Sequence, residues 1–160
     1  MNDSPELLIE VIGIEPEAVY KKTVYDQTVI ARLQDGTEIE LFDKTMPAIE
    51  KDMIGDTVNI CVHIQPATGV TKVEDTAIGI NSSADSSSKW NYDYVGRILD
   101  IDSDSRSVLF DIGIGAISII YYNNEVRRLV ESDEITVGDH LYISNCRADL
   151  IRIIKKTINL

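Results

Sequence analysis

The chain has 160 residues, which is enough for one medium domain or for two small ones. Its formal net charge is −12, with most of the acidic excess in the first half, and a field of this sign repels the backbone of duplex nucleic acid at long range. Since no apolar run approaches the roughly 18 residues that a membrane span needs, and the N-terminus lacks the basic region of a signal peptide, we expect a cytoplasmic protein without membrane contact.

The first half reads as a series of short strands. Pro16 is expected to end the first strand, because proline lacks the N–H that a ladder of hydrogen bonds needs. Asp35-Gly36 predicts a hairpin turn, and Thr45 is a suitable cap for a short helix over 45–52. Apolar and alternating side chains predict strands over 7–14, 24–33, 38–42 and 57–64, and a closing strand over 70–80.

Residues 81–89 contain five serines and almost nothing apolar. Such a segment buries too little surface to offset the entropy lost on ordering, so it is interpreted as a linker. A long hairpin loop inside a single domain is the alternative. The linker divides the chain into a first β-barrel domain over 1–80 and a second over 90–160.

The second half repeats this plan. Gly113 and Gly115 predict a bend between two strands, since glycine inside a strand pattern often marks a bulge or corner. A short helix over 124–131 carries Val126 and Leu129 on its apolar side. Strands are predicted over 94–101, 107–112, 116–122, 140–144 and 150–154.

A short internal repeat supports the comparison of the halves. Residues 54–60, Ile-Gly-Asp-Thr-Val-Asn-Ile, are similar to residues 137–143, Val-Gly-Asp-His-Leu-Tyr-Ile. Each half has the order strand–strand–strand–helix–strand–strand, which resembles the OB-fold. The resemblance implies a mostly β protein of two tandem five-stranded OB-like barrels, each with a short helix between strands 3 and 4. Other small barrels, including SH3-like ones, give similar patterns.

Aromatic and basic residues are concentrated in the second half. OB-folds hold single strands by stacking bases on aromatic rings beside basic groups, and a tyrosine-rich surface equally suits a protein partner. The alternative is a structural role, in which the tyrosines pack inside the barrel and the tryptophan anchors the linker. The candidate partner-binding residues are Trp90, Tyr92, Tyr94, Arg97, Tyr121, Tyr122, Arg127 and Arg128.

An acidic turn has carboxylates at alternate positions, a spacing similar to that of calcium-binding loops. Ser105 stands where such a loop needs glycine, and the flanks read as strands. We therefore interpret the turn as a solvated acidic hairpin, with a weak calcium site as the alternative. The residues concerned are Asp100, Asp102, Asp104 and Asp111.

No other metal or cofactor site is predicted, because Cys61 and Cys146 lie in apolar contexts that suit buried thiols. No catalytic constellation stands out. The leading hypothesis is a non-enzymatic binding or assembly module that contacts a protein partner, or a second copy of itself, through the second barrel. Single-stranded nucleic-acid binding by that barrel is the alternative. A third hypothesis is an enzyme that uses carboxylates in a groove between the barrels.

Overall fold

The computed structural model describes residues 4–44, 47–83, 88–122 and 124–156, with the backbone alone for 155 and 156. A 3-10 helix covers Lys51–Met53, and one α-helix, α1, covers Glu125–Glu131 in the described part of the chain. The strands are β1 (Leu7–Tyr20), β2 (Thr23–Leu33), β3 (Glu38–Lys44), β4 (Thr57–Ile64), β5 (Val70–Val73), β6 (Gly79–Ser82), β7 (Asn91–Asp102), β8 (Ser107–Asp111), β9 (Ala116–Ile120), β10 (His140–Arg147) and β11 (Asp149–Lys156).

Five strands close into a barrel in the order β1-β2-β3-β11-β4, because β4 pairs back with β1. All neighbours are antiparallel except β3 and β11, which run parallel. Alternate residues of β1 point inward, so Leu7, Ile9 and Val11 are each at most 1% exposed. This barrel, with further strands beside it, is compatible with the predicted OB-like fold. The prediction of two such barrels in tandem stays a prediction.

The strand that closes the barrel is not the one predicted. The expected closing strand over 70–80 is divided into β5, which pairs with β10, and β6, which pairs with β7. The charged residues Glu74 and Asp75 interrupt this segment, so it offers no continuous apolar face. β11 supplies such a face, with Leu150 2% exposed, and it takes the place beside β3 and β4.

The remaining strands extend the same sheet. The end of β4 runs parallel to β9 at His63 and Ile64, and the order continues β9-β8-β7-β10-β5. Strand pairing therefore crosses the predicted domain boundary: β11 of the second half pairs with β3 and β4, and β5 of the first half pairs with β10. β6 includes residues 81 and 82 of the predicted linker, and residues 84–87 lie outside the described part of the chain. The division into 1–80, 81–89 and 90–160 stays a prediction.

The first strand does not end at Pro16 but continues to Tyr20. β4 pairs with β1 only as far as Glu10, so Pro16 lies where β1 has β2 as its sole paired neighbour among the described strands. A proline is tolerated there, because an edge strand leaves some of its N–H groups unused. The predicted end of this strand was therefore wrong.

The two predicted helices have different outcomes. α1 lies between β9 and β10, and the side chain of Asn124 caps it by accepting a 3.2 Å hydrogen bond from the amide of Arg127. In the first half, the described part of the range predicted for a helix, 47–52, contains no helix other than the start of the 3-10 helix Lys51–Met53. Thr45, the expected cap, lies outside the described residues.

The first Gly-Asp corner joins the 3-10 helix to β4. Gly55 has φ +94°, a conformation that favours glycine. Its amide donates a 2.7 Å hydrogen bond to the carbonyl of Val11, and the carbonyl of Asp56 accepts a 2.9 Å bond from the amide of Val11. The corner is thereby tied to β1, whose register shifts between Val11 and Gly13.

The second Gly-Asp corner has the same geometry. Gly138 has φ +97° and donates a 2.8 Å bond to the carbonyl of Ile98, while the carbonyl of Asp139 accepts a 2.9 Å bond from the amide of Ile98. The register of β7 shifts between Ile98 and Asp100, as that of β1 does after Val11. The repeated motif therefore marks equivalent positions on β1 and β7.

Candidate functional site

Two of the predicted site tyrosines are structural. Tyr94 is fully buried and donates a 3.0 Å hydrogen bond to the carbonyl of Cys146, and burial raises the pKa of its phenol well above the ordinary value. Tyr92 is buried beside β3, where its hydroxyl accepts a 2.6 Å bond from the amide of Glu40. Burial also raises the pKa of Tyr92. Neither ring is open to a partner.

Tyr121 is also buried, at 3% exposure, but its hydroxyl has no hydrogen-bond partner among the described residues. Burial raises the pKa of this phenol, and the charges that act on it are those of Asp102, Arg106 and Glu131. The hydroxyl therefore lies at the end of the second half where the β7–β8 turn meets α1. A buried hydroxyl left unpaired is uncommon in folded proteins.

Trp90 lies at the junction between the two halves. Its indole N–H donates a 2.9 Å hydrogen bond to the hydroxyl of Thr28, and its ring centroid lies 4.6 Å from that of Phe42. The carbonyl of Trp90 accepts a 2.9 Å bond from the amide of Ala148. These contacts join β7 to β2, β3 and the start of β11. Trp90 thus anchors the connection between the halves, which was the alternative interpretation from the sequence.

A cleft of about 530 Å³ opens beside Trp90. The guanidinium of Arg147 lines it, 4.5 Å above the ring of Phe42 and held by Asp149 through bonds of 2.6 and 3.3 Å. Lys89 covers the tryptophan ring at 5.4 Å. The Trp90 ring and the Arg147 guanidinium at this cleft are therefore already in contact with other side chains of the protein.

The exposed aromatic of the predicted set is Tyr122, at 54% exposure. The guanidinium of Arg106, at the β7–β8 turn, lies 6.0 Å from its ring, and Arg127 donates a 3.0 Å hydrogen bond to its carbonyl. We call Arg106, Tyr122, Arg127 and Arg128 the Tyr122 patch. The sequence pattern did not identify Arg106 as a candidate, since its proximity to Tyr122 depends on the pairing of β8 with β9.

Carboxylates of the same region hold two arginines of the patch. Arg127 lies 2.8 Å from Glu131, one helical turn away, and Arg128 lies 2.8 Å from Glu134. A hydrogen bond from Ser132, together with Arg128, lowers the pKa of Glu134. Arg97 is exposed on β7 at the opposite end of β8 from the patch. The predicted arginines therefore do not form one basic surface.

The aspartates considered for calcium do not gather around one point. Asp102 accepts backbone hydrogen bonds of 3.0 Å from Asp104 and 3.3 Å from Ser105, which close the hairpin turn and lower its pKa. Asp111 lies at the far end of β8, roughly 13 Å away at the usual rise per strand residue, and accepts a bond from Gly113. No cluster of potential metal ligands occurs among the described residues, which include Asp100.

Both cysteines are buried free thiols. Burial raises the pKa of Cys146 to about 11 and raises that of Cys61, so neither thiol ionises readily at neutral pH. Burial, with a further contribution from Arg152, lowers the pKa of His63. The two thiols are parts of the interior, whereas His63 is half-buried.

In the described part of the chain, no helix has the length and apolar character needed to cross a membrane. Comparison of the chain with protein-family models, with curated proteins and with solved structures gave no significant match.

Proposed function

We propose that the chain consists of two OB-like barrels that exchange their fifth strands. The equivalent Gly-Asp corners at Val11 and Ile98 support this reading, because they align β1 with β7 and β4 with β10. β11, which follows β10, occupies the fifth-strand place beside β3 and β4. The end of β4 lies beside β9, and β5 lies beside β10. Together these two segments occupy the place where the second barrel would have its fifth strand.

We further propose that this protein is a non-enzymatic binding or assembly module, and that the Tyr122 patch contacts a protein partner. The observation that carries the proposal is the exposure of Tyr122, at 54%, with the guanidinium of Arg106 over its ring. Tyrosine and arginine are enriched among residues that dominate protein interfaces, since each combines a large flat surface with hydrogen-bonding groups.

A protein partner suits this patch better than a nucleic acid does. The ion pairs of Arg127 with Glu131 and of Arg128 with Glu134 offset two of the three positive charges that the patch would offer to phosphate groups. The net charge of −12 adds long-range repulsion. An interface with another protein needs no excess of positive charge, because apolar area and local hydrogen bonds supply its affinity.

The test uses the full chain as bait in affinity purification, with Tyr122→Ser compared against Val137→Ser. The two side chains are similarly exposed, at 54% and 58%, but Val137 lies at the second Gly-Asp corner. We expect a protein that is recovered with the wild type and with Val137→Ser, and lost with Tyr122→Ser. Recovery of the same proteins by all three baits would exclude the patch as the contact.

Single-stranded nucleic-acid binding is tested separately with fluorescent oligonucleotides at low and moderate salt. Electrostatic attraction is strongest at low salt, so the proposal expects no binding there. Binding that is lost with Arg127→Ala and Arg128→Ala together would favour the nucleic-acid reading over the protein partner.

A further inference from the structure

The hairpin of β1 and β2 extends beyond the closed barrel. β4 pairs with β1 only between Leu7 and Glu10, and β3 pairs with β2 only from Asp26 onward. The end of the hairpin, residues 18–25, is therefore a two-stranded ribbon without a third strand among the described residues. We call residues 18–25 the arm.

The arm has no counterpart in the second half. Beyond the equivalent residues Val11 and Ile98, β1 continues to Tyr20 whereas β7 ends at Asp102. The equivalent turn in the second half is the short acidic one that Asp102 closes. Since no third described strand pairs with the arm, closure of the barrel does not account for its extra length.

The tip of the arm exposes apolar and cationic side chains together. Val19, Tyr20 and Tyr25 are 55%, 62% and 46% exposed. Lys21 and Lys22 form the turn with φ of 48° and 67°, a conformation that asparagine and glycine adopt at lower cost. Neither lysine makes an ion pair with a described carboxylate, so the tip is a local positive site on an acidic chain.

We propose that the arm docks on the Tyr122 patch of a second copy of this chain. This inference rests on the proposed function, since it names the partner of that patch. Among the described tyrosines, those that are exposed are the two of the arm and Tyr122, so the contact would cover all three.

Charge complementarity selects the second copy as the occupant. The turn beside the patch exposes Asp100, Asp102 and Asp104, opposite in sign to Lys21 and Lys22. Two of the three arginines of the patch, which have the same sign as the lysines, are paired with Glu131 and Glu134. The overall repulsion between two acidic chains is screened beyond about 8 Å at physiological ionic strength, whereas charges in direct contact are screened less. A contact between different surfaces of two copies either closes a ring of copies or builds an open filament. The association is therefore expected to rise with concentration.

The experiment measures the mass of the full chain by sedimentation up to about 1 mM, a range that detects weak contacts. We compare the wild type with Lys21→Glu and Lys22→Glu together, and with Asp100→Lys and Asp104→Lys together. Asp102 is left unchanged because it holds the turn. Each single-sided reversal should raise the dissociation constant by about tenfold or more, since it places like charges opposite each other.

The decisive variant combines both reversals, which restores opposite charges and should restore association. A matched melting temperature for all variants shows that folding is unchanged. A wild type that stays monomeric over the whole range, or an association that neither reversal weakens, would overturn the inference. A Tyr122-dependent partner found by affinity purification would then leave the proposed function standing. Oligonucleotide binding lost with the arm reversal would also overturn the inference, in favour of a nucleic-acid contact.

Discussion

The two halves of the chain have equivalent Gly-Asp corners, but the strands that lie beside each half differ. β11 has eight residues and pairs with both β3 and β4, so it closes the barrel of the first half. β5 has four residues and pairs with β10. Because the first half is closed by the last described strand of the second, we expect the stability of the first half to depend on the second.

The first hairpins of the two halves, β1–β2 and β7–β8, also differ. The first half carries the longer hairpin, with a cationic and apolar tip, and the second half has the shorter one, with an acidic turn. Residues that hold the shared plan, such as Val11 and Ile98, are buried. The differences lie at exposed ends, so contacts with partners are expected where the halves diverge.

Removal of β11 is expected to have the largest effect on the stability of the two halves. A chain that ends at Ala148 lacks the strand that covers β3 and β4, and exposes their buried apolar residues to water. Since a whole domain is stable by only about 5–15 kcal/mol, we expect no cooperative unfolding transition for either half. Far-UV circular dichroism measures the strand content, and fluorescence of Trp90 measures the junction.

The control is a chain that ends at Lys156, which retains β11. It should unfold as the full chain does. Retention of a cooperative transition and of the Trp90 signal by the shorter chain would show that the halves fold without exchanged strands.

A second comparison uses glycines on the equivalent strands β1 and β7. A Cβ at Gly96 would lie 2.5 Å from the carbonyl of Asp111 and 2.7 Å from the ring of Phe110, which is fully buried. A Cβ at Gly13 would meet Ile30 at 3.6 Å, an ordinary contact. Gly96→Ala should therefore reduce the free energy of unfolding by about 1–3 kcal/mol.

Gly13→Ala should change the free energy of unfolding little, or raise it by about 0.4–1 kcal/mol through the entropy of the unfolded chain. Urea unfolding measures both variants. Equal destabilisation would mean that β1 and β7 are packed more alike than the structure shows.

The smallest expected effect concerns two buried tyrosines of the second half. Tyr94→Phe removes a hydrogen bond to the carbonyl of Cys146 and should cost about 1 kcal/mol. Tyr121→Phe removes a hydroxyl without a partner among the described residues, so it should be neutral or slightly stabilising. Thermal unfolding compares the two. A similar cost for both would show that the Tyr121 hydroxyl is paired in solution.

Local patterns predicted much of the secondary structure. The Asp35-Gly36 turn is confirmed, with Gly36 at φ +91° and the amide of Thr37 donating a 2.9 Å bond to Asp35. The range of α1 was predicted closely because the spacing of its apolar side chains is a local signal. The length of β1 was not, since tolerance of Pro16 depends on which strands lie beside it.

The candidate site was predicted less well for a related reason. Tyr92 and Tyr122 are the same residue type in similar sequence surroundings, yet one is 7% exposed and the other 54%. Which face of a strand is covered depends on its neighbours, and β7 packs against the edge of β3 in the other half. A list of aromatic residues therefore could not separate the patch from the core.

The sequence by itself determined the β class, the turns and the repeated Gly-Asp corner. Each of these follows from residues close together in the chain, such as the left-handed conformation that Gly55 and Gly138 adopt. Tertiary structure alone decided that β11 closes the barrel of β1 to β4 and that no third described strand pairs with the arm. Such pairings join segments far apart in sequence, and they depend on which apolar faces remain to be covered once the local elements have formed.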